Sequence, residues 1–163
     1  MITKDQFAAA LLRECDICVH LHGKLGPEAW EYRPSPKQRS TAELLRYLAI
    51  CGIAGATCMK EADWKRFAGF SERTKELAPE NFPKAMAQQK EELKALFDTI
   101  DEEALKTQPA PLPGGGELPL GEALLNGPFK WMTSYKLQLF LYAKANGAEI
   151  GTANAWRGVD WKG

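Results

Sequence analysis

No sign of charge prevails in this chain. Lys plus Arg and Asp plus Glu each number 21 in 163 residues. That balance gives no electrostatic case for nucleic acid or an anionic membrane as the main partner. Long apolar runs are also absent. The longest uncharged one, Tyr47 to Met59, is too short to span a bilayer, which takes about 20 residues, and reads as a core helix. The first residues, Met1 to Gln6, lack the basic-then-apolar pattern of a secretory signal, so a cytoplasmic location is expected. Four cysteines without such a signal suggest free thiols in a reducing compartment. No strand-type alternation is sustained, and no internal repeat is evident. Histidine is scarce: His20 and His22 are the only two.

What is present is helical periodicity and its punctuation. Hydrophobic residues make up 45% and charged residues 26%, which suits a single globular domain over 1–163. A first helix is predicted from Thr3 or Lys4 to His22. Phe7, Leu11, Cys18, His22 and Leu25 form its stripe, with Ala8, Cys15 and Leu21 flanking, and Gly23 and Gly26-Pro27 stop it. A loop to Arg39 follows, in which Trp30 and Tyr32 are expected to cap one end of the core.

Ser40-Thr41-Ala42-Glu43 is a capping box, opening a second helix from Leu44 to about Met59 that is apolar on most faces. Gly52 and Gly55 within it cost roughly 1 kcal/mol each against Ala, so close approach of a neighbouring helix is expected there. Trp64, Phe67 and Phe70 suit a short helix or lid. Pro79 to Pro83 starts a third long helix, with Phe82, Met86, Leu93, Leu96, Phe97 and Ile100 inward. Asp101 to Pro119 reads as irregular. Its Gly114-Gly115-Gly116 reads as a turn, because no Lys-Ser or Lys-Thr follows and no strand precedes it. The last helix runs from Leu120 to about Asn146, kinked or restarted at Gly127-Pro128. Trp156 and Trp161, in the tail, are expected to pack back. The whole reads as an all-α, antiparallel four-helix bundle with one long crossover connection.

The organising stretch is Gly127 to Leu139. Trp131 and Tyr135 stand four residues apart, share a helix face, and are expected to point at one spot in the interior. Gln138 lies on the same face. Separately, Cys15, Cys18 and His22 fall at i, i+3 and i+7 on the first helix. They are either core cysteines or, with a fourth ligand such as Cys51 or Cys58, a zinc site. A Cys18–His22 dyad fits the spacing, but nothing marks an oxyanion hole or an orienting carboxylate.

The run Trp30 to Leu48, the run Trp131 to Gln138 and the closing Thr152 to Asp160 together resemble the DinB-like, or YfiT-like, family of small bacterial four-helix bundles. The resemblance implies a cytoplasmic bundle, often a homodimer, in which one His of the second helix and two of the last bind a divalent metal such as zinc or nickel. By motif position those places are Tyr47, Trp131 and Tyr135 here, while Ser40 and Gln138 match. Trp has only an N–H donor and a neutral phenol is a poor ligand, so no metal is expected at that place. The aromatics either repack the core or line a metal-free pocket, with His22 and Cys18 as further lining candidates.

The expected function is therefore a metal-free module binding a small molecule or a partner. The alternative is a divergent transferase or hydrolase using a relocated metal or a thiol. Neither nucleic acid nor membrane is expected as a partner; a homodimer is.

Overall fold

The computed structural model describes residues 3–160. Helix α1 (Lys4–His22) starts at Thr3, whose hydroxyl accepts from the Gln6 amide while the Gln6 side chain accepts from the Thr3 N–H. Helix α2 (Thr41–Lys60) opens on the expected box: the Glu43 amide donates to Ser40 Oγ, and the Ser40 amide donates to the Glu43 carboxylate. Two orphan donors of the first turn are thereby satisfied. Helix α3 (Arg66–Thr74) is the short helix anticipated around Phe67 and Phe70. Helix α4 (Phe82–Asp98) follows a turn of 3₁₀ helix, Pro79–Asn81.

The four long helices are α1, α2, α4 and α7 (Lys130–Ala145). Each of α1 and α2 packs on both α4 and α7, so α1 and α2 sit on opposite corners. Specific contacts give the directions. Lys4, at the start of α1, donates to Ile100 O beyond the end of α4, and His22, at the other end, meets Pro79 O before α4 begins. These two helices are antiparallel. Arg46 of α2 reaches Leu77 O, and Gly52 and Ile53 meet Gln89, so α2 and α4 run the same way. Parallel neighbours require a connection that travels the length of the bundle, and the segment carrying α3 is that crossover. Helix α7 runs antiparallel to α2, since Tyr135 meets Tyr47 and Tyr142 meets Arg39.

The core holds Leu11, Ile17 and Leu21 of α1, Leu44, Leu45 and Leu48 of α2, Met86 and Leu93 of α4, and Met132 and Leu139 of α7. Helix α2 is long and apolar enough to cross a membrane by length and composition alone, with a mean hydropathy of 1.3, but its faces are buried in this core. Two long polar side chains are buried with them. Gln89 on α4 lies against α2: its Oε1 accepts from the Gly52 and Ile53 amides and its Nε2 donates to Leu48 O. Lys136 on α7 is 2% exposed and holds Glu14 of α1 at 2.7 Å.

Between α4 and α7 the structure departs from expectation. Residues 101–119 are not irregular: α5 (Glu102–Thr107) and an antiparallel hairpin of β1 (Pro109–Pro111) and β2 (Glu117–Pro119) occupy them. Gly114, Gly115 and Gly116 all take positive φ at its tip, where any side chain would be strained. The last helix is interrupted as expected. Helix α6 (Leu120–Leu124) leads into a π turn, Leu125–Phe129, around Pro128, before α7 starts. A wider turn leaves room for the proline ring, which would clash in a regular α-helix. Helix α8 (Thr152–Arg157) ends at Gly158 in the left-handed conformation. Trp156 packs back on α7, its ring 5.0 Å from the Lys136 ammonium, while staying 55% exposed. Trp161 falls outside the described residues.

Candidate functional site

The seam between α2 and α7 carries the predicted aromatic residues, but not at one spot. Tyr47 and Tyr135 meet edge to face, with ring centroids 4.8 Å apart. Trp131 sits elsewhere along the seam, against Gly55 and 6.2 Å from the Trp64 ring. Gly55 is eight residues beyond Tyr47, or about 12 Å along a helix axis. Sharing a face thus did not bring Trp131 and Tyr135 to one place: four residues also separate them by about 6 Å of helical rise. The absence of a side chain at Gly55 lets the indole lie on the α2 backbone, which accounts for one glycine. Gly52 accounts for itself in the same way, by admitting the Gln89 amide.

Arg39, which precedes the α2 cap, completes the tyrosine pair. Its guanidinium stands 4.4 Å from the Tyr47 ring centroid and 5.2 Å from that of Tyr135. Cation–π attraction of this kind holds an arginine against aromatic faces. Among the described residues the guanidinium has no carboxylate partner and no hydrogen bond, and neither the Tyr47 nor the Tyr135 hydroxyl has a protein partner. Burial pushes the Tyr47 phenol well above its usual pKa, with Cys51 and Tyr135 adding to the effect and Arg39 opposing it. The phenol therefore stays protonated and remains a hydrogen-bond donor.

Gln138 does not serve Tyr135. Its amide donates to the Tyr142 hydroxyl, which itself donates to Arg39 O at 2.9 Å. Tyr142 thus pins the backbone of the arginine that caps the seam. It escaped the sequence reading because one aromatic in an apolar helix carries no sign of its partner. Beside it runs a groove of about 440 Å³ lined by Tyr32, Gln38, Ser134, Gln138 and Tyr142 among others.

The Cys/His cluster does not form a site. Cys15 and Cys18 are fully buried, and among the described residues the one polar contact of the Cys18 side chain is the Met132 sulfur at 4.0 Å. Burial raises the Cys15 thiol to about 12 and the Cys18 thiol well above its usual value. A thiol held protonated is neither a nucleophile nor a ready metal ligand. His22 turns to the other side: its Nε2 pairs with Pro79 O at 2.8 Å, and its ring stacks on Trp30 and against Phe82. It lies at the end of the bundle where both α2 and α4 begin, since the carbonyl of Trp30, on which it stacks, accepts from the Ala42 amide of α2. Among the described residues no group of three or more His, Cys, Asp and Glu side chains could hold a metal ion.

A solved structure from Bacillus subtilis, the DinB-like protein YjoA, matches this backbone with a TM-score of 0.69 over 87% of this chain and 92% of that one. The fold is that of a DinB-like protein. Identity to YjoA is 18%, so the likeness concerns the DinB-like fold alone. No protein-family model and no curated protein sequence matches the chain.

Proposed function

We propose that this protein is a metal-free binding module on a DinB-like scaffold, whose recognition element is Arg39 over the Tyr47–Tyr135 pair. The observation that supports it is the guanidinium held between two aromatic faces with its donors unspent. An arginine so placed pairs with a carboxylate or similar anion through two parallel hydrogen bonds, and the two phenols supply further donors. The ligand class is a small organic anion. The positions that the family resemblance assigns to metal ligands are Tyr47, Trp131 and Tyr135, and the first and last of these contribute ring faces to a cation instead.

Four free, buried cysteines fit a reducing cytoplasm. A homodimer would form through the exposed Leu137 and Leu141 of α7, and light scattering over a range of concentrations tests that arrangement.

The test of the binding reading has two arms. Protein soaked in zinc, nickel and manganese and then desalted should retain no stoichiometric metal by elemental analysis. A thermal-shift panel of small carboxylates and sulfonates should stabilise the wild type and not Arg39→Ala. Stoichiometric metal, or equal shifts in both proteins, overturns the reading.

A further inference from the structure

A second groove lies where α1, α4 and α8 meet, away from the α2/α7 seam. It measures about 540 Å³, with Ala9, Leu12 and Ile17 as its apolar floor. Its charged lining is one-sided: Arg13, Lys90, Lys94 and Arg157 against the single acid Asp16. In a chain with equal numbers of acids and bases, this is a local concentration of positive charge. Lys90 is paired with Asp16, and Lys94 with Glu91 outside the groove. Among the described residues Arg13 and Arg157 make no ion pair and no side-chain hydrogen bond, so two guanidinium forks face the groove uncompensated.

The wall bearing Arg157 is anchored rather than loose. Asp160 accepts from Lys24 and from Asn154 Nδ2, both at 2.8 Å, and Asn154 also meets His20 at 3.0 Å. Gly158, with φ 65°, abuts α1 so closely that a Cβ there would stand 3.3 Å from Ile17 Cα. The turn after α8 is thus seated on α1, and it presents Arg157 over the same surface as Arg13.

We propose that this groove binds a free, multiply charged phosphate compound of the phosphate-ester or phosphoanhydride class. Guanidinium forks match phosphate oxygens bidentately, lysine ammoniums add point charges, and the apolar floor accommodates the organic part of an ester. The inference does not depend on the Arg39 reading.

Inorganic pyrophosphate is the probe, titrated calorimetrically into the full chain at low and at raised salt. Saturable binding that weakens with salt is expected. Arg13→Gln with Arg157→Gln should weaken it by roughly tenfold or more, since each lost charged hydrogen bond is worth about that factor. Asp16→Asn should strengthen it, because it removes the one acid and releases Lys90; a merely structural role for these surface residues would not move affinity in opposite directions. The same loss should appear when Arg13→Gln and Arg157→Gln are made in an Arg39→Ala background, which separates this site from the seam. Circular dichroism checks that the variants fold. Absence of saturable binding, or equal affinity in the double variant, overturns the proposal. Equal or tighter binding to phosphatidylglycerol vesicles would reassign the groove to lipid headgroups and overturn the free-ligand assignment.

Discussion

A Cβ on Gly55 would stand 2.5 Å from Trp131 Cζ3 and 3.0 Å from Pro128 Cγ, both atoms of rigid rings. Gly55→Ala should therefore lower stability by about 1–3 kcal/mol, the overpacking cost exceeding the roughly 1 kcal/mol that alanine gains in helix propensity. Urea denaturation measures it; a stabilised variant would mean that the indole is free to move. The second residue-level test concerns the pair Glu14 and Lys136, at 2.7 Å. Glu14→Ala leaves an ammonium buried without its partner and should cost about 3 kcal/mol or more. Replacing both, as Glu14→Leu with Lys136→Met, should recover most of that loss, because an apolar pair needs no compensation. At this scale the sequence was least informative. The two helix glycines announced close approach, and they found it in Trp131 and Gln89. Yet Gln89, Lys136 and Tyr142 look like ordinary residues of their helices. What makes them matter is a partner on another helix, and spacing along one chain does not name that partner.

At the scale of elements, caps and breakers were legible because their chemistry is local. Ser40 and Glu43 satisfy each other's backbone across three residues, and Gly127-Pro128 interrupts the last helix whatever surrounds it. The β1–β2 hairpin was not legible. Its strands are three residues each, they carry three prolines, and only their pairing gives them a ladder. Ser40→Ala should cost about 1 kcal/mol, read from the shift in urea midpoint. The Glu43 carboxyl is held below its ordinary value, first by its hydrogen bond from the Ser40 amide. A depressed carboxyl contributes stability that is present above its unfolded-state value near 4.3 and is lost as pH falls through the lower folded-state value. The difference between wild type and Glu43→Gln should therefore narrow below about pH 4 and be constant from about pH 6 upward. A gap independent of pH would show that the carboxylate contributes only packing.

For the molecule as a whole, both histidines are held below their ordinary value, in each case chiefly by burial. The unfolded chain then binds more protons than the folded one just below pH 6.5, so stability is full above that value and declines as pH drops under it. Urea midpoints should fall between about pH 6.5 and 5, before most carboxylates titrate, and His22→Gln should flatten part of that slope. An unchanged slope would place the proton uptake at His20. The fold class was legible from the four apolar stripes, while the parallel course of α2 and α4 was not, since a stripe has no direction.

That parallel course bears on how the chain acquires its structure. Consecutive helices α1 and α2 occupy opposite corners, and among the long helices each packs on α4 and α7 rather than on the other. Helices α1 and α2 cannot zip into a hairpin with each other as the chain leaves the ribosome. Helix α1 finds no long partner until α4 is made, and the faces that α1 and α2 turn to α7 stay uncovered until residues up to 145 have been made. Folding should accordingly be slower than for an up-and-down bundle of the same length, because distant contacts must close before any are rewarded. A truncated chain ending at Lys60 should expose the faces of α1 and α2 and aggregate.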